Sequence, residues 1–77
     1  MNDREYTIIL HPDLEEGGYT VTVPALPGIV TEGDTLEEAI AMAKDAIAGH
    51  LGALKASGRP IPEERAHPQA LTIRVAA

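Results

Sequence analysis

Two β-rich runs separated by the pair Gly17-Gly18 constrain this chain more than any other feature. In Tyr6-Thr7-Ile8-Ile9-Leu10-His11, Tyr6, Ile8 and Leu10 fall on one face of an extended strand, and Thr7, Ile9 and His11 on the other. Pro12 ends the run, because proline has no N–H to give a strand ladder. Residues 13–18 read as a polar loop whose two glycines supply the positive φ of a hairpin connection. The returning run alternates again, Tyr19, Val21 and Val23 against Thr20 and Thr22. Two strands with matching apolar faces predict an antiparallel hairpin.

The segments after the hairpin must cover its apolar face. Pro24-Ala25-Leu26-Pro27-Gly28 is a rigid bend, and Pro27-Gly28 suits the centre of a type II turn. A short third strand over residues 29–32 is expected before Gly33-Asp34 breaks it. Thr35 then caps a helix, with Glu38 three residues on completing a capping box and Glu37 joining it at the positive end of the helix dipole. Leu36, Ile40, Ala43, Ile47, Leu51 and Leu54 recur at helical spacing and define one buried stripe. Gly58 and Pro60 stop the helix. Gly49 and Gly52, with Ala46, Ala53 and Ala56, form a small-residue face suited to close approach by the sheet or a second subunit.

Beyond a proline-containing connection at residues 59–67, Leu71-Thr72-Ile73-Arg74-Val75 alternates once more and reads as a last strand, with Leu71, Ile73 and Val75 inward. The expected fold is α+β, in the order β-β-β-α-β. A right-handed return by the helix gives a single sheet of order 3-2-1-4, with the helix on one face. Thr7, Ile9, His11, Thr20, Thr22, Thr72 and Arg74 would occupy the opposite face, either solvated or against another subunit.

With 77 residues the chain is expected to form one domain, residues 1–77, whose core alone gives marginal stability. It has no cysteine, so disulfides and thiolate metal sites are excluded, and self-association is the favoured compensation. Twelve acidic residues against six basic ones give a net charge of −6, and there is no Phe or Trp. Both facts argue against direct nucleic-acid binding, which depends on phosphate neutralisation and base stacking. A basic protein is the electrostatically natural partner. No apolar run approaches a membrane span and the N-terminus lacks a signal-peptide pattern, so a cytoplasmic location is expected.

Catalytic groups are scarce. Ser57, the one serine, sits beside a helix-terminating glycine, and His11, His50 and His67 lack metal-ligand spacing. His50 reads as a partly buried side chain near the helix stripe, and His11 as a strand end. The carboxylates concentrate in turns and caps, with none at the centre of an expected strand, where a two-metal nuclease would need one. No catalytic, metal or cofactor site is expected, and the chain is read as a binding protein.

The run Glu16-Gly17-Gly18-Tyr19-Thr20-Val21-Thr22-Val23-Pro24-Ala25-Leu26-Pro27-Gly28 resembles the GGY-x-V-x-VP-x-LPG signature of HicB-type antitoxins. Thr31-Glu32-Gly33-Asp34-Thr35-Leu36-Glu37-Glu38-Ala39 continues it as T-x-GDT-x-EEA, and Gly58-Arg59-Pro60-Ile61-Pro62 matches a later G-x-x-IP. The resemblance implies a truncated ribonuclease H-like fold without the nuclease carboxylates. It implies a homodimer or higher homo-oligomer, and a partner in HicA, a small basic toxin that cleaves messenger RNA. Full antitoxins of this type carry a C-terminal DNA-binding domain. Here the motifs run out before Ala77, so operator binding is not carried over. The motif residues Gly17, Gly18, Tyr19, Pro24, Leu26, Pro27, Gly28, Gly33, Asp34, Thr35 and Glu38 are expected to be structural, with some at an interface. The alternative is a solitary oligomeric scaffold or regulator of the same fold that binds another protein.

Overall fold

The computed structural model describes residues 3–77. Its elements are β1 (Ile9–Pro12), β2 (Tyr19–Thr22), β3 (Val30–Gly33) and α1 (Leu36–Ala56). The strands form one antiparallel sheet in the order β1-β2-β3. Leu10 lies opposite Val21, and Val21 opposite Thr31, so these three share the face that the helix covers. The other face carries two rows, Ile9–Thr22–Val30 and His11–Thr20–Glu32.

The hairpin loop is held from Asp13. Its side-chain Oδ1 accepts from the N–H groups of Glu15 and Glu16 at 3.0 and 3.1 Å, and its carbonyl accepts from Gly17 N–H at 2.9 Å. This folding-back demands left-handed backbone at Gly17 and Gly18, whose φ values are 81° and 78°. Pro12 stands at the end of β1, an edge strand, where a missing N–H is tolerated.

Glu38 N–H donates to Thr35 Oγ1 at 3.1 Å, as a capping threonine requires. The Glu38 carboxylate reaches one residue further back than expected, accepting from Asp34 N–H at 3.3 Å. Two small clusters make the core. Val21, Ala39 and Ala43 form one, with Ile8, Leu10 and Tyr19 packed against it. Val23, Leu26 and Ile29 form the other, flanked by Tyr6, Ile8, Ala46, Ile47 and Leu51.

Several expectations are corrected. The bend over Pro27-Gly28 is a turn, with Ile29 N–H donating to the Leu26 carbonyl at 3.0 Å, but Gly28 keeps a negative φ and the turn is therefore not type II. Leu36 is exposed, and Ala39 takes the buried place at the start of the helix. The reason is close approach: the helix packs chiefly on β3, and only small side chains fit under it. Gly49 and Gly52 face open space instead of a packed neighbour, and His50 is exposed.

The largest correction concerns the last strand and the order 3-2-1-4. Residues 71–75 join no sheet, and Leu71, Ile73 and Val75 are 80%, 76% and 72% exposed. The connection before them is tied to the start of the chain. Tyr6 Oη donates to the Pro62 carbonyl, and Thr7 donates from its N–H and hydroxyl to the two Glu64 oxygens at 2.8 and 2.7 Å. Pro68, Gln69 and Ala70 then share a hollow with residues 7–10. Residues 62–70 thus lie against residues 5–10, and the alternating apolar run begins beyond them.

Candidate protein-binding site

Between the hairpin loop, β3 and the first turns of the helix lies a groove of about 390 Å³. Five exposed carboxylates line it, those of Asp13, Glu16, Glu32, Asp34 and Glu38, and among the described residues no basic side chain does. Each is placed by a local necessity already described. Asp13 and Glu16 belong to the loop that Asp13 organises. Glu32 stands opposite Thr20 on the uncovered sheet face, and Asp34 and Glu38 are joined across the helix cap. Tyr19 and Met42 add apolar surface to the groove, and Leu14, 94% exposed, projects from the adjacent loop. Acidic side chains that line one groove favour a cationic surface that neutralises them, and the exposed Met42 and Leu14 suit the apolar anchors of a protein interface.

The motif residues divide into two groups. Gly17, Tyr19, Gly33, Asp34 and Glu38 line the groove, and Thr35 fixes the helix start beside it. Gly18 supports it from behind, since a Cβ there would lie 2.6 Å from the Gly33 carbonyl oxygen. Pro24, Leu26, Pro27 and Gly28 sit at the other end of β2. Leu26 is buried in the second core cluster, so its role is packing, while Pro24, Pro27 and Gly28 are exposed in the turn. Sequence reasoning missed Asp13, Glu16, Glu32 and Met42 as members of one surface. The hairpin register was the available signal, because it puts the Asp13 loop and Gly33-Asp34 at the same end of the sheet.

A second cluster of titratable groups joins the chain ends. Glu64, whose side chain is only 5% exposed, pairs with His67, and His67 Nε2 lies 3.3 Å from Glu5 Oε1. The hydrogen bond from His67, aided by those from Thr7 and opposed by burial, holds the Glu64 carboxyl below its ordinary range. The same bond to Glu64, with a second to Glu5, raises His67 above the usual histidine value. Arg4 and Glu63, 3.8 Å apart, add an exposed ion pair to this junction. No sequence spacing signalled it, because Thr7 is 57 residues from Glu64 and Glu5 is 62 residues from His67.

Residues 6–72 match the family model described as HicB_like antitoxin of bacterial toxin-antitoxin system. The chain is 44% identical over 62 residues to UPF0150 protein Ta0767 of Thermoplasma acidophilum, covering 80% of this chain and 88% of that protein. It is 41% identical over 59 residues to UPF0150 protein ssr1765 of Synechocystis, covering 77% and 73% of the two chains. Antitoxin HicB 1 of Photorhabdus laumondii is 47% identical over 47 residues, which is 61% of this chain but only 30% of the antitoxin's own length. No solved structure matches the chain.

Proposed function

The chain belongs to the HicB-like antitoxin family of bacterial toxin–antitoxin systems, and from that premise we propose that it neutralises a small basic HicA-type messenger-RNA-cleaving toxin by binding it. The observation that carries this reading is the groove lined by Asp13, Glu16, Glu32, Asp34 and Glu38 with no cation among the described residues that line it. A toxin that grips RNA must itself present lysine and arginine to phosphate. A rigid array of carboxylates on a protein surface competes for those same side chains, and steers the encounter through long-range attraction. Neutralisation then needs only occupancy of the toxin's RNA-binding face, with no bond made or broken by the antitoxin. The Gly33–helix contact and the Asp13-centred loop supply the rigidity that keeps the carboxylates in register before the partner arrives. A truncated ribonuclease H-like architecture is part of the same reading, supported by the three-stranded antiparallel sheet with one helix on a single face.

The test is co-expression with a HicA-type toxin, taken from an adjacent small open reading frame where there is one. Growth rescue and co-purification support the proposal; loss of rescue when Glu32 and Asp34 become Gln and Asn assigns it to the groove. Toxicity undiminished by co-expression, with no complex formed, would sink it for that pair.

A second reading has its own support. The chain covers 88% and 73% of the two UPF0150 relatives, proteins of about its own extent. In that reading it is a stand-alone HicB-like scaffold or regulator whose acidic groove receives a different basic protein. A soluble, well-folded chain that leaves a HicA-type toxin's RNA cleavage untouched favours it.

A further inference from the structure

We infer that Leu14 is the apolar anchor of the toxin interface, entering an apolar socket set among the partner's cations. It governs how long the complex lasts, while the carboxylates of the groove govern how fast it forms. This rests on the antitoxin reading and adds to it the chemistry of the partner's surface.

Outside residues 71–75, the large apolar side chains exposed among the described residues are Leu14, Val30, Leu36 and Met42. A single exposed leucine is ordinary, but three of these four gather at one end of the molecule. Strand register places the loop of residues 13–18 and Gly33-Asp34 at that end. Leu14 belongs to the loop, Leu36 opens the helix just after Asp34 and Thr35, and Met42 lines the groove itself. Val30 stands apart, opposite Thr22 at the far end of β3. Apolar side chains collected beside charged ones are the arrangement of a binding patch, with anchors inside a polar rim.

Leu14 is the one that the fold holds farthest into solvent. It is the only apolar side chain between Asp13 and Gly17, it joins neither core cluster, and it is 94% exposed. Its backbone is nevertheless pinned. Asp13 N–H donates to the Gly18 carbonyl at 3.0 Å, and Asp13 in turn accepts from Glu15, Glu16 and Gly17. A leucine carried on so braced a loop loses little conformational freedom when a partner buries it. The same loop places Asp13 and Glu16 in the groove, so a cationic surface that closes on the groove meets Leu14 beside it.

The two kinds of contact act over different ranges. Carboxylates attract cations across water and are screened by salt, so they speed the encounter. Leucine gains only when water leaves both surfaces, so its burial slows dissociation and depends little on salt. A basic surface without a socket is drawn to the groove and released quickly, whereas a toxin with one is held. Leu14 is thereby the specificity-determining residue of the interface.

Binding kinetics of the full chain with a HicA-type toxin, read by surface plasmon resonance, test this. Leu14→Ala should raise the dissociation rate roughly tenfold, as for a buried leucine cut back to alanine, and leave association within about twofold. Leu14→Met should stay near wild type, and so should Val30→Ala at the far end of β3. The urea midpoints of Leu14→Ala and wild type should coincide. Wild-type dissociation from Leu14→Ala overturns the inference, as does an effect confined to association or an equal effect of Val30→Ala. A lower urea midpoint overturns it too, because it places the side chain against its own chain. A wild-type chain that binds no HicA-type toxin brings down the antitoxin reading and this inference together. A wild type that binds, beside a Leu14→Ala chain that binds equally well, brings down this inference alone.

Discussion

Gly33 and Ala39 are in such close apposition that a Cβ at residue 33 would lie 2.5 Å from the Ala39 nitrogen and 2.7 Å from its Cα. Backbone stands against backbone there, with no flexible side chain to yield. Gly33→Ala should therefore push the helix start off β3, at a cost of about 1–3 kcal/mol typical of overpacking. Urea denaturation followed by circular dichroism measures it. Because Asp34 and Glu38 ride on this contact, the same variant should also weaken partner binding. Unchanged stability would mean that the helix can slide without penalty.

Gly49 and Gly52 make the complementary case. Both lie inside the helix, and a Cβ at either meets nothing within 4 Å. Replacing either by alanine should stabilise the chain by up to about 1 kcal/mol, the ordinary propensity difference between the two residues. Thermal melts of the single variants check this. Destabilisation would indicate that this face is covered in the assembled protein.

Thr31 lies on the covered face of β3, and its hydroxyl oxygen is buried without a hydrogen-bond partner among the described residues. An unsatisfied buried hydroxyl is a standing cost, whereas a methyl in its place has none. Thr31→Val should leave stability equal or higher, while Thr31→Ala should lower it through lost packing. A Thr31→Val chain less stable than wild type in chemical denaturation would contradict this account of the hydroxyl.

The Glu64–His67 junction gives the attachment of the C-terminal connection a defined pH dependence. His67 is raised above its ordinary 6.5, so its contribution is complete below that pH and fades as pH rises through the raised value. Glu64 is lowered from its ordinary 4.5, so its contribution is complete above that pH and fades as pH falls through the lowered value. Protection of the Thr7 amide, corrected for intrinsic exchange, should peak between the two ordinary values. His67→Gln should remove the alkaline fall and keep the acid one. A flat protection profile in the wild type would show that the junction does not hold in solution.

The hairpin, the Thr35 cap and the order of the first four elements were legible because each rests on local chemistry: alternation, a glycine pair, an N-cap three residues before a glutamate. The buried place of Ala39 was not, nor was the contact it makes with the motif glycine Gly33, since small residues carry no periodic signal and their importance comes from how closely two backbones approach. The uncovered tail was misread for a related reason. Its alternation is a true strand pattern, but the bonds of Tyr6 to Pro62 and of Thr7 to Glu64, which decide where the segment begins its run, join residues far apart in sequence. The groove was half legible. Its motif members Gly17, Tyr19, Gly33, Asp34 and Glu38 were singled out, but Asp13, Glu16 and Glu32 joined them only through strand register.

The most direct test of the antitoxin reading is a titration of the purified chain into a HicA-type toxin, with RNA cleavage and heat of binding read together. Cleavage should stop at a fixed stoichiometry, and binding should weaken as salt rises. Glu32→Gln with Asp34→Asn should slow association roughly tenfold through lost electrostatic steering. Cleavage that continues in the presence of excess chain would contradict the reading, as would inhibition indifferent to both salt and the two substitutions.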